Sequence, residues 1–251
     1  MTEAEIHHGV AWGIIAVGAL VFVTLFFISA PYGRHDRSGW GPTMPTRWAW
    51  VIMESPAVLV FAAVFFLGRH RFALAPLVLL AMWQLHYVNR TFVFPFELKV
   101  DGKTTPIAVA AMALVFNLFN AYVNARHVSH LGTYPTAWLY DPRFLVGVLL
   151  FVTGRHINVE ADRRLVALRE EGQGYQIPQG WLYRYISCPN YFGEIVEWIG
   201  WAVATWSLAG VSFAVFTIAN LAPRGIANHR WYHEKFDDYP KERRALIPFV
   251  V

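Results

Sequence analysis

Residues 10–30 form an uninterrupted run of 21 uncharged, mostly apolar residues, VAWGIIAVGALVFVTLFFISA. A helix needs roughly 20 such residues to cross the hydrocarbon core of a bilayer. A signal peptide is the alternative interpretation. It fits poorly because the run is too long and because Glu3 and Glu5 stand where a basic region would be expected. The run therefore predicts a membrane-spanning helix near the start of the chain.

Six further apolar blocks follow, at residues 48–67, 72–87, 106–123, 144–152, 192–208 and 209–221. Only 15% of the residues are charged, against about a quarter in average soluble domains. The pattern predicts an all-α integral membrane protein with seven transmembrane helices. Six and eight spans are alternatives, because several blocks are short or polar. No internal repeat or linker divides the sequence, so residues 1–251 are predicted to form a single membrane domain.

Lysine and arginine are distributed unevenly between the two predicted sides of the membrane. If seven spans alternate, the loops 31–47, 95–105 and 153–189 and the C-terminal tail hold sixteen of the 21 basic residues. The opposite side holds four, and Arg90 lies within or at the end of a span. Because cytoplasmic loops are enriched in Lys and Arg, the N-terminus is predicted outside and the tail in the cytosol. The net charge of +4 is attributed to this topology rather than to nucleic-acid binding.

Glu54 lies within the second apolar block, in the stretch WVIMESPAVLV. Ionisable groups at bilayer depth are costly and usually face a cavity or a partner. One interpretation is an interfacial residue whose side chain reaches water. The other is a neutral carboxylic acid in an apolar cavity, which can donate a hydrogen bond to a substrate oxygen.

The stretch HYVNR, residues 86–90, is the second polar interruption of an apolar block. Helical spacing places His86 with Asn89 on one face and Tyr87 with Arg90 on another. Tyr87 can donate to a carbonyl and Arg90 can bind an anion. The alternative is an interfacial aromatic belt ended by an arginine.

Two helical stripes of polar residues occur in the second half of the chain. Asn158, Asp162 and Arg169 share one stripe, which suits either a solvated amphipathic helix or a site for phosphate and ribose. The second stripe comprises Asn190, Glu194, Glu197 and Trp201. Its carboxylates suit a carboxamide or ribose partner, or buried ion pairs with the arginines of the segment RHINVEADRRLVALR, which include Arg155, Arg163 and Arg164.

Several site classes find no support in the sequence. No Gly-x-Gly-x-x-Gly motif follows a strand and no Walker-type loop occurs, so any nucleotide must be bound by membrane helices and their loops. No histidine group has convincing metal-ligand spacing, so no metal is predicted. The single cysteine, Cys188, excludes an internal disulfide and has no paired base nearby in the sequence.

Three stretches closely resemble the steroid 5α-reductase family: HYVNRTFVFPF, YQIPQGWLYRYISCPNYFGEIVEWIGWAVATWSL and FDDYPKERRALIPFVV. PYGRH after the first span and MESPA in the second also fit this family. The resemblance runs from about residue 31 to the C-terminus and is strongest after residue 158. The sequence is identified as a member of this family, of a bacterial type. Asn89, Lys103, Gln176 and Asn228 depart from the family pattern.

The resemblance implies a seven-span enzyme that uses NADPH to reduce the Δ4 double bond of 3-oxo-steroids to 5α products. Residues 1–105 would form the substrate-side helices, and residues 106–251 mainly the cofactor-binding helices and cytosolic tail. The cytosolic loops would close over the nucleotide. The membrane would be the cell inner membrane in a bacterium or the endoplasmic reticulum in a eukaryote.

The resemblance also implies roles for individual residues. Glu54 and Tyr87 would hydrogen-bond the 3-oxo group, hydride would reach C5, and water would protonate C4. Trp50 and Trp198 would border the substrate and the nicotinamide. The residues implied to line the cofactor are Arg90, Asn158, Asp162, Arg169, Tyr175, Asn190, Glu194, Arg224, Asn228 and Tyr232.

Other functions are kept as alternatives. Relatives of this fold reduce other conjugated lipids, such as enoyl thioesters and polyprenols, by the same hydride chemistry. A membrane methyltransferase that binds S-adenosylmethionine is a second alternative, and a transporter or lipid-binding receptor is a third. The main partner expected is a lipid-soluble steroid, with no nucleic acid and no obligate protein partner.

Overall fold

The computed structural model describes residues 1–28, 35, 39–171 and 174–250. The first four residues of PYGRH lie outside the described residues, and so does Arg37, one of the sixteen basic residues on the predicted cytosolic side. The α-helices are α1 Glu3–Phe27, α2 Thr46–Phe66, α3 Leu74–Val88, α4 Phe94–Glu97, α5 Ile107–Arg126, α6 Pro142–Glu171, α7 Pro189–Thr205 and α8 Leu208–Lys235. The predicted all-α class is confirmed.

Short elements extend or connect these helices. A π-helix at Asn89–Val93 joins α3 to α4, and a second at His127–Leu131 continues α5. Two 3₁₀-helices lie at Thr136–Tyr140 and Trp181–Arg184. The short strands β1 (Thr43–Pro45) and β2 (Thr104–Pro106) pair antiparallel.

Five helical segments of the described chain are long and apolar enough to cross a membrane: Glu3–Phe27, Thr46–Phe66, Ile107–Leu131, Pro142–Arg169 and Leu208–Lys235. These segments support a multi-pass membrane protein. Two parts of the helical chain are not among the five. One is α7, and the other is the segment formed by α3, the π-helix Asn89–Val93 and α4. The count of seven spans therefore stays a prediction.

Helix α6 extends much further than its apolar block indicates. The block ends at residue 152, yet the helix continues to Glu171, and at about 1.5 Å per residue its 30 residues measure roughly 45 Å. The predicted loop 153–189 is thus helical over its first half. The charges that hide this helix from a hydropathy pattern are spaced for helical pairing, as in the Glu160–Arg164 ion pair of 2.8 Å.

The β1–β2 ribbon fixes the beginnings of α2 and α5 beside each other. Thr46 N donates to Lys103 O at 3.0 Å, and the hydroxyls of Thr46 and Thr105 lie 3.0 Å apart. Pro45 and Pro106 cap the two helices. The two helices then pack side by side, which brings α2 and α5 side chains into contact in the membrane interior.

An aromatic core lies where α2, α3, α7 and α8 meet. Trp83 stacks on Phe61 at 4.4 Å between ring centroids, and it lies 5.3 Å from Trp198 and 5.5 Å from Phe213. Its indole N–H donates to Ala57 O at 2.7 Å. Buried tryptophans need such a partner for their one polar atom. This core supports the residues of α3 that follow Trp83.

Helices α6 and α7 touch backbone to backbone through glycines. A Cβ on Gly154 would lie 2.2 Å from Glu197 N, and one on Gly193 would lie 2.5 Å from Asn158 N. Both distances are far below van der Waals contact. Small residues allow this approach between membrane helices, where packing replaces the hydrophobic driving force. The contact brings the polar stripes of α6 and α7 together.

We expect Gly154→Ala to lower the free energy of unfolding by about 3 kcal/mol, because the added methyl would force two backbones apart. The measurement is unfolding in mixed detergent micelles, followed by tryptophan fluorescence. Gly13→Ala is the matched control, since Gly13 is an exposed glycine of α1 and a methyl added there would meet no atom within 4 Å. Equal stability of the Gly154→Ala protein and the wild type would contradict the close contact.

Candidate functional site

Glu54 is half-buried on α2 and faces α5. Its Oε2 accepts a hydrogen bond of 3.1 Å from Asn117 Nδ2, which also donates to Met53 O at 2.8 Å. Pro56 has no N–H for Ile52 O, and Ser55 Oγ donates to that carbonyl instead at 2.9 Å. A polar environment thus surrounds the carboxyl within an apolar helix.

Tyr87 lies at the end of α3, with only 4% of its surface exposed. Its ring is 4.9 Å from that of Trp83 and 5.5 Å from that of Trp198. Among the described residues its hydroxyl has no hydrogen-bond partner, and the Glu54 carboxyl is close enough to act on it electrostatically. A rigidly held hydroxyl without a protein partner is available to a ligand oxygen.

Arg90 joins α3 to the two polar stripes. Its Nη1 lies 3.7 Å from Asp162 Oδ2, and its Nη2 lies 3.8 Å from Glu194 Oε2. The guanidinium carbon also lies 4.5 Å from the ring centre of Trp50. Two carboxylates and an aromatic face therefore stabilise one largely buried cation.

Two asparagines complete this polar network. Asn190 Nδ2 donates to Asp162 Oδ1 at 2.9 Å. Asn158 Nδ2 lies 3.0 Å from Asn190 O and 3.4 Å from Glu194 Oε2. The structure thus brings together five of the predicted cofactor residues, Arg90, Asn158, Asp162, Asn190 and Glu194.

A cavity of about 460 Å³ opens beside this network, between the α3–α4 segment and α6. Its volume is within the range of small-molecule sites. Its lining includes five cations, Arg47, Arg90, Lys99, Arg155 and Arg163, against three acidic residues, Glu97, Asp101 and Asp162. Of the predicted residues, Arg90, Asn158 and Asp162 line it, whereas Glu54 and Tyr87 do not.

A second, much smaller cavity of about 20 Å³ is lined in part by the predicted residues Arg169, Tyr175 and Tyr232. Lys103 Nζ lies 6.0 Å from the ring centre of Tyr175. Burial and the nearby Arg169 charge lower the pKa of Lys103. Two cations therefore lie close together at the cytosolic end predicted from the sequence, where an anion would relieve their repulsion.

Arg224 and Asn228 lie apart from both cavities. Arg224 Nη2 donates to Tyr191 Oη at 3.3 Å, and Asn228 Nδ2 lies 3.4 Å from the same oxygen. Asn228 Oδ1 is 3.0 Å from His35 Nε2. These contacts connect α8 to α7 and to the segment after α1.

Neither Trp198 nor Trp50 lines the large cavity. Trp198 is 1% exposed, with its ring 4.7 Å from that of His86 and 5.5 Å from that of Tyr87. It therefore supports these two side chains from within the core. Trp50, by contrast, is half-buried against Arg90.

Sequence reasoning missed the His86–Glu197 contact and the contacts of Asn117, whereas the Arg155–Glu197 pair of 3.7 Å agrees with the predicted alternative of a buried ion pair. His86 Nδ1 lies 2.9 Å from Glu197 Oε1, and both side chains are buried. The sequence shows Glu197 as a carboxylate in an apolar helix, but it does not show which residue of α3 is its partner. The spacing of Asn117, Asn120 and Asn124 could have indicated a buried polar face of α5, because the three asparagines share one side of this helix and are all buried.

The chain resembles proteins of one family over nearly its whole length. The family model described as 3-oxo-5-alpha-steroid 4-dehydrogenase matches residues 103–251. Steroid 5-alpha-reductase DET2 of Gossypium hirsutum is 48% identical over 91% of each chain, and its namesake in Arabidopsis thaliana is 45% identical over 94% of each. 3-Oxo-5-alpha-steroid 4-dehydrogenase 1 of Bos taurus is 43% identical over 94% of this chain and 93% of its own.

These relatives come from plants and a mammal, so they give no support to the predicted bacterial type. The identity covers the helices that carry both the Arg90 network and the Tyr87–Glu54 pair. With a family model over more than half of the sequence and relatives well above 40% identity, the chain belongs to the steroid 5-alpha-reductase (3-oxo-5-alpha-steroid 4-dehydrogenase) family.

Proposed function

We propose that this protein is an NADPH-dependent membrane oxidoreductase that reduces the Δ4 double bond of 3-oxo-steroids to 5α-3-oxo-steroids. Its main support is the unpartnered Tyr87 hydroxyl, held in an aromatic core near Glu54 and next to the Arg90 network. The names of the relatives, steroid 5-alpha-reductase and 3-oxo-5-alpha-steroid 4-dehydrogenase, agree with this chemistry.

The residues Tyr87 and Glu54 act on the ketone oxygen. Hydride addition at C5 moves negative charge onto the 3-oxo group, and this charge needs donors that are already in position. The aromatic core fixes the Tyr87 ring, so its hydroxyl can donate without reorganising. Glu54, as a neutral carboxylic acid oriented by Asn117, is the second donor. The enolate then takes a proton from water at C4.

The large cavity fits a dinucleotide phosphate in charge and in hydrogen-bonding groups. Its excess of cationic residues suits an anionic ligand, while Asn158 and Asp162 can bond hydroxyl groups. When bound there, NADPH would supply the hydride. Arg90 and the asparagines would hold it, Trp50 would border the substrate, and Trp198 would support the wall behind Tyr87.

The cationic pair of Lys103 and Arg169 suits a phosphate group of the same cofactor. Tyr175 and Tyr232 line the small cavity beside Arg169, and Gln176 Nε2 donates to Leu168 O at 2.9 Å, which fixes the loop after α6. Arg224 and Asn228 would act through Tyr191 and His35. The loop 95–105 and residues 174–189, the described part of the predicted loop 153–189 that follows α6, would close over the bound nucleotide.

We expect Tyr87→Phe and Glu54→Gln each to lower kcat about 100-fold or more, since each removes one donor to the developing oxyanion. The assay measures NADPH oxidation with progesterone or testosterone in detergent, with the product identified by mass spectrometry. Tyr140→Phe and Glu5→Gln are matched controls, because both residues are exposed. Wild-type turnover in either site variant would remove that residue from the mechanism.

Arg169→Gln should weaken NADPH binding about tenfold and reduce the dependence of binding on salt, because one phosphate-facing charge is lost. Titration calorimetry at low and moderate ionic strength measures both effects. Arg230→Gln, at an exposed position of α8, is the control and should bind like the wild type. An unchanged dissociation constant in Arg169→Gln would exclude the phosphate role.

For topology, we propose that the N-terminus is outside and the C-terminal tail cytosolic. The single native thiol, Cys188, is buried, so the unmodified chain should give little background labelling. A thiol introduced by Thr2→Cys should react with a membrane-impermeant maleimide in intact cells. One introduced by Lys241→Cys should react only after permeabilisation, and the reverse pattern would invert the orientation.

A further inference from the structure

His86, Glu197 and Arg155 form a buried cluster at the inner wall of the large cavity. His86 Nδ1 lies 2.9 Å from Glu197 Oε1, and Arg155 Nη1 lies 3.7 Å from the same oxygen. Glu197 is 0% exposed and His86 is 3% exposed. Burying ionisable groups is costly unless their charges and hydrogen bonds are compensated by partners, as they are in this cluster.

The cluster determines which nitrogen of His86 carries the proton. Glu197 Oε1 faces both Arg155 and the imidazole, and the arginine disfavours a proton on this oxygen. Oε1 is therefore an acceptor, and His86 Nδ1 is the donor. In a neutral imidazole the other nitrogen, Nε2, is then left with a free lone pair.

His86 Nε2 has no hydrogen-bond partner among the described residues. Nε2 is not fully enclosed, in contrast to the unpaired Glu197 Oε2. His86 itself lines the large cavity beside Arg90 and Asn158. Nε2 is thus an acceptor available to a ligand in that cavity.

The position of His86 indicates which part of a ligand it meets. His86 lines the large cavity, and its ring lies 4.9 Å from that of Tyr87 and 4.7 Å from that of Trp198, so it is the lining residue next to the tyrosine proposed to hold the ketone. The reacting end of a hydride donor must approach a substrate held at Tyr87. The reacting end of a hydride donor bound in the large cavity would therefore lie next to His86.

We propose that His86 Nε2 accepts a hydrogen bond from the carboxamide N–H of the nicotinamide ring, and that Glu197 and Arg155 are positioning residues for this acceptor. This inference rests on the proposed function. The contact would select the carboxamide group and fix the rotation of the ring relative to Tyr87.

The test compares two ligands that differ in this one group. NADPH and its reduced 3-acetylpyridine analogue, whose methyl ketone lacks the N–H donors, are titrated calorimetrically into the full chain in detergent. We expect the analogue to bind about tenfold more weakly to the wild type, the effect of one buried hydrogen bond. In His86→Leu, the two dissociation constants should agree within about twofold.

Control proteins separate this effect from a loss of structure. His86→Gln retains a side-chain acceptor and should keep part of the preference, whereas His8→Leu, at an exposed position of α1, should keep all of it. Should His86→Leu fail to fold, the inference is tested by the ratio of the two dissociation constants in the wild type and by the change of this ratio in His86→Gln.

Equal binding of both ligands to the wild type overturns the inference while leaving the reductase in place. An unchanged preference in His86→Leu also overturns it. Binding of neither ligand to any of the proteins contradicts the proposed function itself.

Discussion

A buried charge must find its compensation within the protein, and Arg90 meets this constraint with two carboxylates. They come from different helices, Asp162 from α6 and Glu194 from α7. The pairing therefore requires α3, α6 and α7 to meet at one depth, and this meeting point is also one wall of the large cavity.

The glycine contact between α6 and α7 makes that meeting possible. Because the backbones touch at Gly154 and Gly193, the Asn158 side chain is near enough to donate a hydrogen bond to the Asn190 backbone carbonyl. Larger residues would separate the stripes by several ångströms. The aromatic core around Trp83 then supports α3, and the Tyr87 ring packs between Trp83 and His86.

Local patterns predicted much of this site, and contacts between helices account for what they missed. Spacing along α6 and α7 correctly grouped Asn158 with Asp162 and Asn190 with Glu194. It could not show that Asn117 of α5 would bond Glu54, or that His86 would bond Glu197, because partner choice depends on which helices are neighbours. The extension of α6 to Glu171 agrees with the helical stripe of Asn158, Asp162 and Arg169, whereas hydropathy alone ends the apolar block at residue 152 because the extension is charged.

The π-helix at Asn89–Val93 has a consequence for how this chain tolerates changes in length. A π-helical turn holds more residues than an α-helical turn, so this segment absorbs one residue beyond a regular helix. Removing one residue there should therefore let a regular α-helix form while the residues on both sides keep their faces. Phe94, 5.1 Å from the Arg90 guanidinium, would stay beside that cation, and Glu97 would stay in the cavity wall. A deletion in the regular part of α3 would instead turn everything downstream by roughly 100° about the helix axis. The π-helix is thus the place at which this continuous helical segment can lose a residue and still present Tyr87 and Glu97 on the same sides.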